Sequence, residues 1–267
     1  MINREIAKAL KGLPVPSKFV LAVSGGPDSQ CLLKAFPHVA RPMGHSMRAV
    51  GIDHGLRAEA PAELALAQEL AESAGVPFHR MRMPVARGPN LQARARESRY
   101  AALRAMLDGP GYVVTAHHAD DRAETVIIRL LRGYGAGAMG VLAPVNGDLF
   151  RPMVGIRRAE VMAYLVRWGV AYASDPSNMD EKYLRVWVRN KLLPLMAEKS
   201  PRIVEKLCTV ADDLMQSGPY GPSVRAVQAV TDVLTLDAEE ATFGDSETVE
   251  YLLQEVDEAV AASVMKE

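Results

Sequence analysis

The chain has 267 residues, of which 49% are hydrophobic and 24% are charged, and its formal net charge is −1. These values are typical of a folded globular protein and argue against a disordered one. Its two cysteines, Cys31 and Cys208, are too few for a disulfide framework, a four-cysteine zinc site or a cysteine-ligated iron–sulfur cluster.

The charge is unevenly distributed along the chain. Residues 1–200 carry 27 Lys and Arg against 18 Asp and Glu, whereas residues 201–267 carry 4 against 14. A cationic body with an anionic tail indicates either a nucleic-acid partner or a merely solvated acidic surface. No apolar run reaches the ~20 residues of a membrane span, and the start lacks a signal-peptide core. We therefore expect a cytoplasmic protein with no membrane partner.

Short apolar runs alternate with helical patterns over the first 170 residues, which predicts a parallel sheet with crossover helices. The predicted strands are Phe19–Ser24, Met47–Asp53, Phe78–Met83, Tyr112–Ala116 and Leu149–Val154. The predicted helices that follow them are Asp28–Phe36, Pro61–Ala74, Asn90–Leu107, Asp120–Leu131 and Arg158–Trp168. The pattern predicts a doubly wound, five-stranded α/β fold whose ligands gather at the carboxyl ends of the strands.

From Asp175 onward the strand pattern disappears and only helical patterns remain. These cover Asp180–Met196, the stretch after Pro201, Val224–Leu234 and Thr248–Val264, with a break at Ser217–Pro222. The chain is therefore expected to comprise a nucleotide-binding domain over 1–174, a helical extension over 175–216 and an acidic helical tail over 217–267.

A glycine turn follows the first predicted strand, with the sequence SGGPDS at Ser24–Ser29. Its two glycines allow a sharp turn, and proline, aspartate and serine suit the start of a helix. Backbone N–H groups and the helix dipole then form a phosphate cradle. The chain has no Walker-type G-x-x-x-x-G-K-[ST] sequence. A G-x-G-x-x-G match at Gly135–Gly140 follows a helix instead of the strand that a dinucleotide site needs.

Two further segments fall where ligands are expected. The sequence DHGLR at Asp53–Arg57 ends the second strand and can reach a nucleotide at the first turn, although alone it is typical of a polar turn. A stretch dense in arginine contains Arg80, Arg82, Arg87, Arg94, Arg96, Arg99 and Arg104. Arg96 and Arg99 share a helical face, which indicates either RNA or a triphosphate as partner, or a solvated basic surface.

An acidic segment with two histidines, TAHHADDRAET, occupies Thr115–Thr125 at the end of the fourth strand. Asp121 and Glu124 stand three apart, so both carboxylates project from one helical face, with His117 just before them. Such a pair can hold an ammonium or magnesium ion, although acids at a helix start also favour its dipole. The segment lacks the H-E-x-x-H spacing of zinc enzymes.

The last candidate segment begins with Asp175-Pro176-Ser177-Asn178, a combination typical of turns. Arg185 and Arg189 follow four residues apart on one side of a predicted helix. That spacing suits phosphate binding and equally an exposed basic surface.

The order VSGGPDS, DHGLR, ARESRY, TAHHADDRAET, RLLRGYGAGAMG, RPM and DPSN resembles that of the PP-loop tRNA(Ile)-lysidine synthetases over roughly residues 15–196. The resemblance implies a PP-loop fold and the use of ATP with Mg²⁺. It implies that ATP and its adenosine are bound by Ser24, Gly25, Gly26, Asp28, Ser29, Asp53 and His54. It also implies that Asp121 and Glu124 hold lysine, with His117 nearby, and that Asp28, His117, Asp121 and Glu124 are catalytic.

The reaction implied by the resemblance is adenylation of the wobble cytidine of an isoleucine tRNA with a CAU anticodon, followed by attack of lysine to form lysidine. Its substrate-binding residues would be Arg57, Arg96, Arg99, Asp121, Glu124, Arg185 and Arg189. One alternative is another RNA-modifying PP-loop pyrophosphatase, such as a cytidine thiolase, although no C-x-x-C is present. A second is a non-catalytic nucleotide- or RNA-binding descendant. A homodimer remains open.

Overall fold

The computed structural model describes residues 1–86, 88, 91–135, 138–174 and 182–216. Some sequence predictions lie outside these residues. They are those made for Arg87, Gly137, Asp175–Asn178 and the acidic tail 217–267 with its two helices.

One mixed sheet of six strands forms the centre of the first part of the chain. The strands are β1 (Lys18–Val23), β2 (Ser46–Asp53), β3 (Phe78–Arg82), β4 (Tyr112–Val114), β5 (Val145–Asn146) and β6 (Leu149–Phe150). Their order is β3-β2-β1-β4-β6-β5, and only the β5–β6 pair is antiparallel. The chain leaves β1 toward β2 and later returns to its other side at β4. The carboxyl ends of β1 and β4 therefore flank the point where the strand order reverses, the usual ligand position in such sheets.

The helices have the following bounds. They are α1 (Ile2–Leu10), α2 (Pro27–Ala40), α3 (Ala60–Ser73), α4 (Leu91–Ala105), α5 (Ala119–Leu131), α6 (Arg158–Arg167), α7 (Leu184–Trp187), α8 (Leu193–Lys199) and α9 (Ile203–Gln216), with a π-helical turn at Val188–Leu192. Among the described residues, no helix combines the length and the apolar character needed to cross a membrane.

The predicted α/β fold is confirmed, with β5 as an added sixth strand. This strand is an exposed, two-residue partner of β6, too short to produce an alternating pattern in the sequence. The central strand β1 is mostly buried from Phe19 onward, as its continuous apolar run FVLAV predicts for a parallel sheet covered on both faces. Phe19 of β1 is fully buried together with Phe36 and Phe150, and the Phe19 and Phe36 ring centroids lie 5.1 Å apart.

The described residues form two compact units. The first contains the sheet and comprises residues 1–118 and 144–174, while the second is helical and comprises 119–143 and 182–216. The second unit includes α5 because the apolar side of this helix, with Ala123, Val126 and Ile127, shares a core with Leu207 and Val210 of α9. The sequence-based division at residues 174 and 216 stays a prediction.

Candidate functional site

The glycine turn after β1 has a backbone shape that requires glycine at its first position. Gly25 has φ +81°, and a Cβ added there would lie 2.1 Å from the carbonyl oxygen of Glu63. Gly26 is the N-cap of α2, with Pro27 as the first helical residue. The chain therefore turns directly from a buried strand into a helix start, and the positive end of the helix dipole faces the turn.

Hydrogen bonds within the turn hold it in one shape. The Ser24 N–H donates to Ser29 Oγ over 3.2 Å, and the Ser29 hydroxyl donates to the Gly26 carbonyl over 2.9 Å. The Gly25 carbonyl accepts a hydrogen bond of 2.9 Å from the Ala173 N–H. All five residues predicted to bind the phosphates lie in this turn or in the first turn of α2, so the structure brings them together. A fixed set of backbone N–H groups is suited to an anion.

Asp28 contacts two basic side chains of the first unit. His118 Nε2 lies 3.5 Å from one carboxylate oxygen, and an Arg158 guanidinium nitrogen lies 3.6 Å from the other. His118 is fully buried, whereas the Asp28 side chain keeps 29% of its surface exposed. The predicted His117 is hydrogen-bonded to the Thr115 hydroxyl over 2.8 Å. His118 therefore packs beside Asp28 at the carboxyl end of β4.

The carboxyl end of β2 borders a cavity of about 430 Å³. Its lining comprises Asp53, Gly55, Leu56, Arg57, Ala58, Pro61, Arg80 and Arg82. Asp53 accepts a hydrogen bond of 2.8 Å from the Gly55 N–H, and His54 Nδ1 lies 3.2 Å from the Met83 carbonyl, so both side chains shape the loop. Arg57 forms a two-pronged ion pair with Glu63 at 3.0 and 2.6 Å. The predicted nucleotide loop therefore lines a cavity with a cationic wall.

Helix α4 carries the predicted arginines Arg96 and Arg99. The Arg96 guanidinium lies over the Tyr100 ring, 5.0 Å from its centroid. Desolvation, and to a smaller extent Arg96, lowers the pKa of the Arg99 guanidinium below its usual range. The pKa of Arg151 is lowered in the same way, first by burial and then by Arg96. An anion bound beside these arginines would stabilise their charged forms, because a nearby opposite charge favours ionisation.

Four predicted residues meet in the second unit. Glu124 on α5 is fully buried, and its oxygens accept hydrogen bonds from Arg185 Nε at 2.8 Å and from Arg189 at 2.6 and 2.9 Å. One oxygen of Asp121 lies 3.5 Å from Arg185 and 3.6 Å from Arg189. Arg189 belongs to the π-helical turn, whose wider backbone sets the register of this helix after Arg185. We call Asp121, Glu124, Arg185 and Arg189 the charged cluster.

The sequence profile of the PP-loop domain family matches residues 1–196. The chain belongs to the PP-loop domain family. This confirms the family predicted from the motif order, and members of the family use ATP.

Curated relatives of this PP-loop chain are tRNA(Ile)-lysidine synthases. It is 46% identical over 189 residues to that of Novosphingobium aromaticivorans, which covers 67% of the chain and 57% of the relative. It is 35% identical over 218 residues to that of Xanthomonas axonopodis pv. citri, with 78% and 50% covered. It is 36% identical over 202 residues to that of Pseudomonas aeruginosa, a match that covers 74% of the chain and 46% of the relative. The chain spans about half the length of the curated relatives it matches.

A solved structure shares the PP-loop fold of this chain. The U34-tRNA thiolase NcsA from Methanococcus maripaludis, with its [4Fe-4S] cluster, has a TM-score of 0.66 at 15% identity. The similarity covers 80% of this chain and 78% of the thiolase. At this level of identity it supports the arrangement of strands and helices alone.

We call the first unit, residues 1–118 and 144–174, the PP-loop unit. The sequence-predicted site did not include His118 and Arg158 of this unit, although both contact Asp28. His118 belongs to the acidic segment Thr115–Thr125. Its contact with Asp28 could not be predicted from the sequence, because it depends on the carboxyl ends of β1 and β4 lying side by side. Arg158 opens α6 and had no signal in the sequence, because its approach to Asp28 depends on how α6 packs on α2.

Proposed function

We propose that this chain carries the catalytic part of a tRNA(Ile)-lysidine synthase. In this reaction it would adenylate the wobble cytidine of an isoleucine tRNA with ATP and join lysine to it. The observation that carries the proposal is the charged cluster. A free amino acid offers an ammonium and a carboxylate, and the cluster holds two carboxylates and two guanidinium groups on facing helices. The tRNA(Ile)-lysidine synthases among the curated relatives support the same substrate.

The nucleotide would bind to the PP-loop unit. In this proposal the Ser24–Ser29 turn receives the phosphates, and the Asp53–Arg57 loop lies against the adenosine in the cavity that it lines. The Asp28 carboxylate, which keeps part of its surface exposed, is suited to a Mg²⁺ ion that is otherwise held by phosphates and water. When bound, that ion would neutralise charge on the phosphates.

The chemistry explains why ATP is needed. A carbonyl oxygen of cytosine is a poor leaving group. Transfer of AMP from ATP to that oxygen breaks the bond to pyrophosphate and gives an activated ring carbon. The lysine ε-amine then forms a C–N bond to this carbon, AMP leaves with the oxygen, and the amine loses a proton. Because a free lysine amine has a pKa of ~10.4, its binding must assist this loss, and we place His117 near the reacting groups.

Within the charged cluster, Asp121 and Glu124 would have different tasks. Glu124 has both oxygens engaged by arginine, so it fixes Arg185 and Arg189 for the lysine carboxylate or an RNA phosphate. Asp121 makes longer contacts to the same arginines and keeps more exposure, so it is the better partner for an ammonium group. Arg96 and Arg99 would contact the tRNA backbone, with Arg151 beside them.

The thiolase alternative is not favoured. Burial raises the pKa of the Cys31 thiol to about 12 and that of Cys208 to about 11. Neither thiol ionises near neutral pH, so neither is activated as a sulfur nucleophile.

The test incubates the chain with ATP, an isoleucine-tRNA transcript and labelled lysine. We expect AMP, pyrophosphate and labelled RNA. Asp28→Ala should abolish pyrophosphate release, Glu124→Ala should mainly raise the lysine requirement, and the exposed Asp108→Ala should behave as wild type. Pyrophosphate without labelled RNA would indicate another PP-loop enzyme, and the absence of both products would indicate a binding protein.

A further inference from the structure

Helix α9 contacts the helix that carries the acidic half of the charged cluster. It begins at Ile203, beyond the residues that the family profile matches, and both helices belong to the second unit. At the start of α5, the Cys208 thiol donates to the Ala119 carbonyl over 3.4 Å. Farther along α9, Met215 packs so closely on Gly140 that a Cβ added to this glycine would lie 2.8 Å from Met215 Cγ.

Between these two contacts lies an ion pair with a buried partner. The Arg122 side chain on α5 is only 3% exposed, and a terminal guanidinium nitrogen donates to Asp212 of α9 over 2.5 Å. Arg122 Nε donates to the Val141 carbonyl over 3.1 Å. A buried guanidinium is costly unless its charge and its N–H groups are satisfied. Arg122 therefore joins the first turn of α5, the segment at Val141 and α9.

Arg122 lies directly beside Asp121 in the sequence and one turn before Thr125. Its side chain projects from α5 on a different side from Asp121 and Glu124, because successive helical residues are rotated by about 100°. A rotation or shift of this turn would move both carboxylates against Arg185 and Arg189, which bind Glu124 through three hydrogen bonds. Fixing Arg122 on one side thus fixes the acidic pair on the other.

We infer that Asp212 is a positioning residue: through Arg122 it holds the first turn of α5 in the orientation that presents Asp121 to lysine. This inference rests on the proposed function for the identity of the substrate, but the contact it describes does not. It makes a residue outside the matched family region necessary for amino-acid recognition. Nucleotide use by the PP-loop unit should not depend on it.

The first arm of the test measures steady-state kinetics of Asp212→Asn, which removes the charge at constant shape. We expect the KM for lysine to rise about tenfold while the KM for ATP changes by less than about twofold. Asp212→Glu, which restores the charge, should recover most of the loss. Glu198→Gln removes an exposed acid from the same unit and should match wild type. An unchanged lysine KM, or an equal loss for both substrates, would overturn the inference.

The second arm does not use catalysis. Hydrogen exchange of the amides of residues 123–127 on α5 should speed up in Asp212→Asn and not in Glu198→Gln, with β1 and β2 unaffected. Equal exchange in both variants overturns the positioning role. If wild type fails to incorporate lysine, the proposed function fails while this arm still decides the contact. Should Asp212→Asn not fold, Arg122→Gln, which removes the other charge of the pair, is measured in both arms with the same expectations.

Discussion

The two units of the chain build their candidate binding groups by different means. In the PP-loop unit the turn after β1 depends on backbone, since Gly25 has a positive φ and no room for a side chain. In the second unit the charged cluster consists of two acidic and two basic side chains on helices. A backbone cradle is therefore sensitive to added volume, whereas the cluster is sensitive to a change of charge at constant volume.

The largest effect is expected from added volume in the turn. Gly25→Ala forces a left-handed backbone on alanine and drives its Cβ into the Glu63 carbonyl, so we expect a loss of about 2–5 kcal/mol in the free energy of unfolding. Urea denaturation of the wild type and of Gly25→Ala measures this loss.

Gly26→Ala is the matched control. Gly26 has φ −72°, and among the described residues an added Cβ would meet Ser24 Oγ alone, at 3.6 Å, so the loss should stay below about 1 kcal/mol. Equal losses at the two glycines would contradict the steric account of the turn.

A smaller effect is expected from removing charge in the cluster. Glu124→Gln keeps the shape but leaves Arg185 and Arg189 without their buried counter-charge. We expect the free energy of unfolding to fall by about 2–3 kcal/mol. The loss is no larger because Arg185 is 46% exposed, so that water screens its charge. Thermal unfolding compared with Glu198→Gln measures it. A loss no greater than that of the control would show that the cluster is held by packing and not by charge.

The smallest effect comes from histidine and should distinguish the units by pH. All six histidines lie within residues 1–118. Burial lowers the pKa of His45, whose Nδ1 accepts a hydrogen bond of 3.1 Å from the Ser17 N–H. As the pH falls, the unfolded chain therefore binds a proton at His45 before the folded chain does. The contribution of neutral His45 to the free energy of unfolding is fully present above the ordinary histidine pKa near 6.5 and is lost as the pH falls below it.

Between pH 7 and pH 5.5 the PP-loop unit should thus lose up to about 1.4 kcal/mol per pH unit from His45. Hydrogen exchange of β1 and of α9 at each pH follows the two units separately. His45→Asn keeps an acceptor for the Ser17 N–H but does not titrate. In this variant the loss of unfolding free energy per pH unit should be smaller. An unchanged slope would assign it to other groups.

The residue types and their spacing are enough to predict the strands of the parallel sheet and the glycine turn. Continuous apolar runs such as Phe19–Val23 are short enough to be strands, and the residue types at Ser24–Ser29 have few uses other than a sharp strand-to-helix turn. Helical spacing also paired Asp121 with Glu124 and Arg185 with Arg189, because neighbours on a helix are fixed by its local geometry.

Which of these groups meet depends on the tertiary structure. It joined the two helical pairs into one cluster, placed His118 and Arg158 beside Asp28, and grouped α5 with α9 through Arg122 and Asp212. It also added the two-residue strand β5 and the π-helical turn that carries Arg189. These features depend on packing between segments distant in the chain, for which the periodicity of a single segment carries no information.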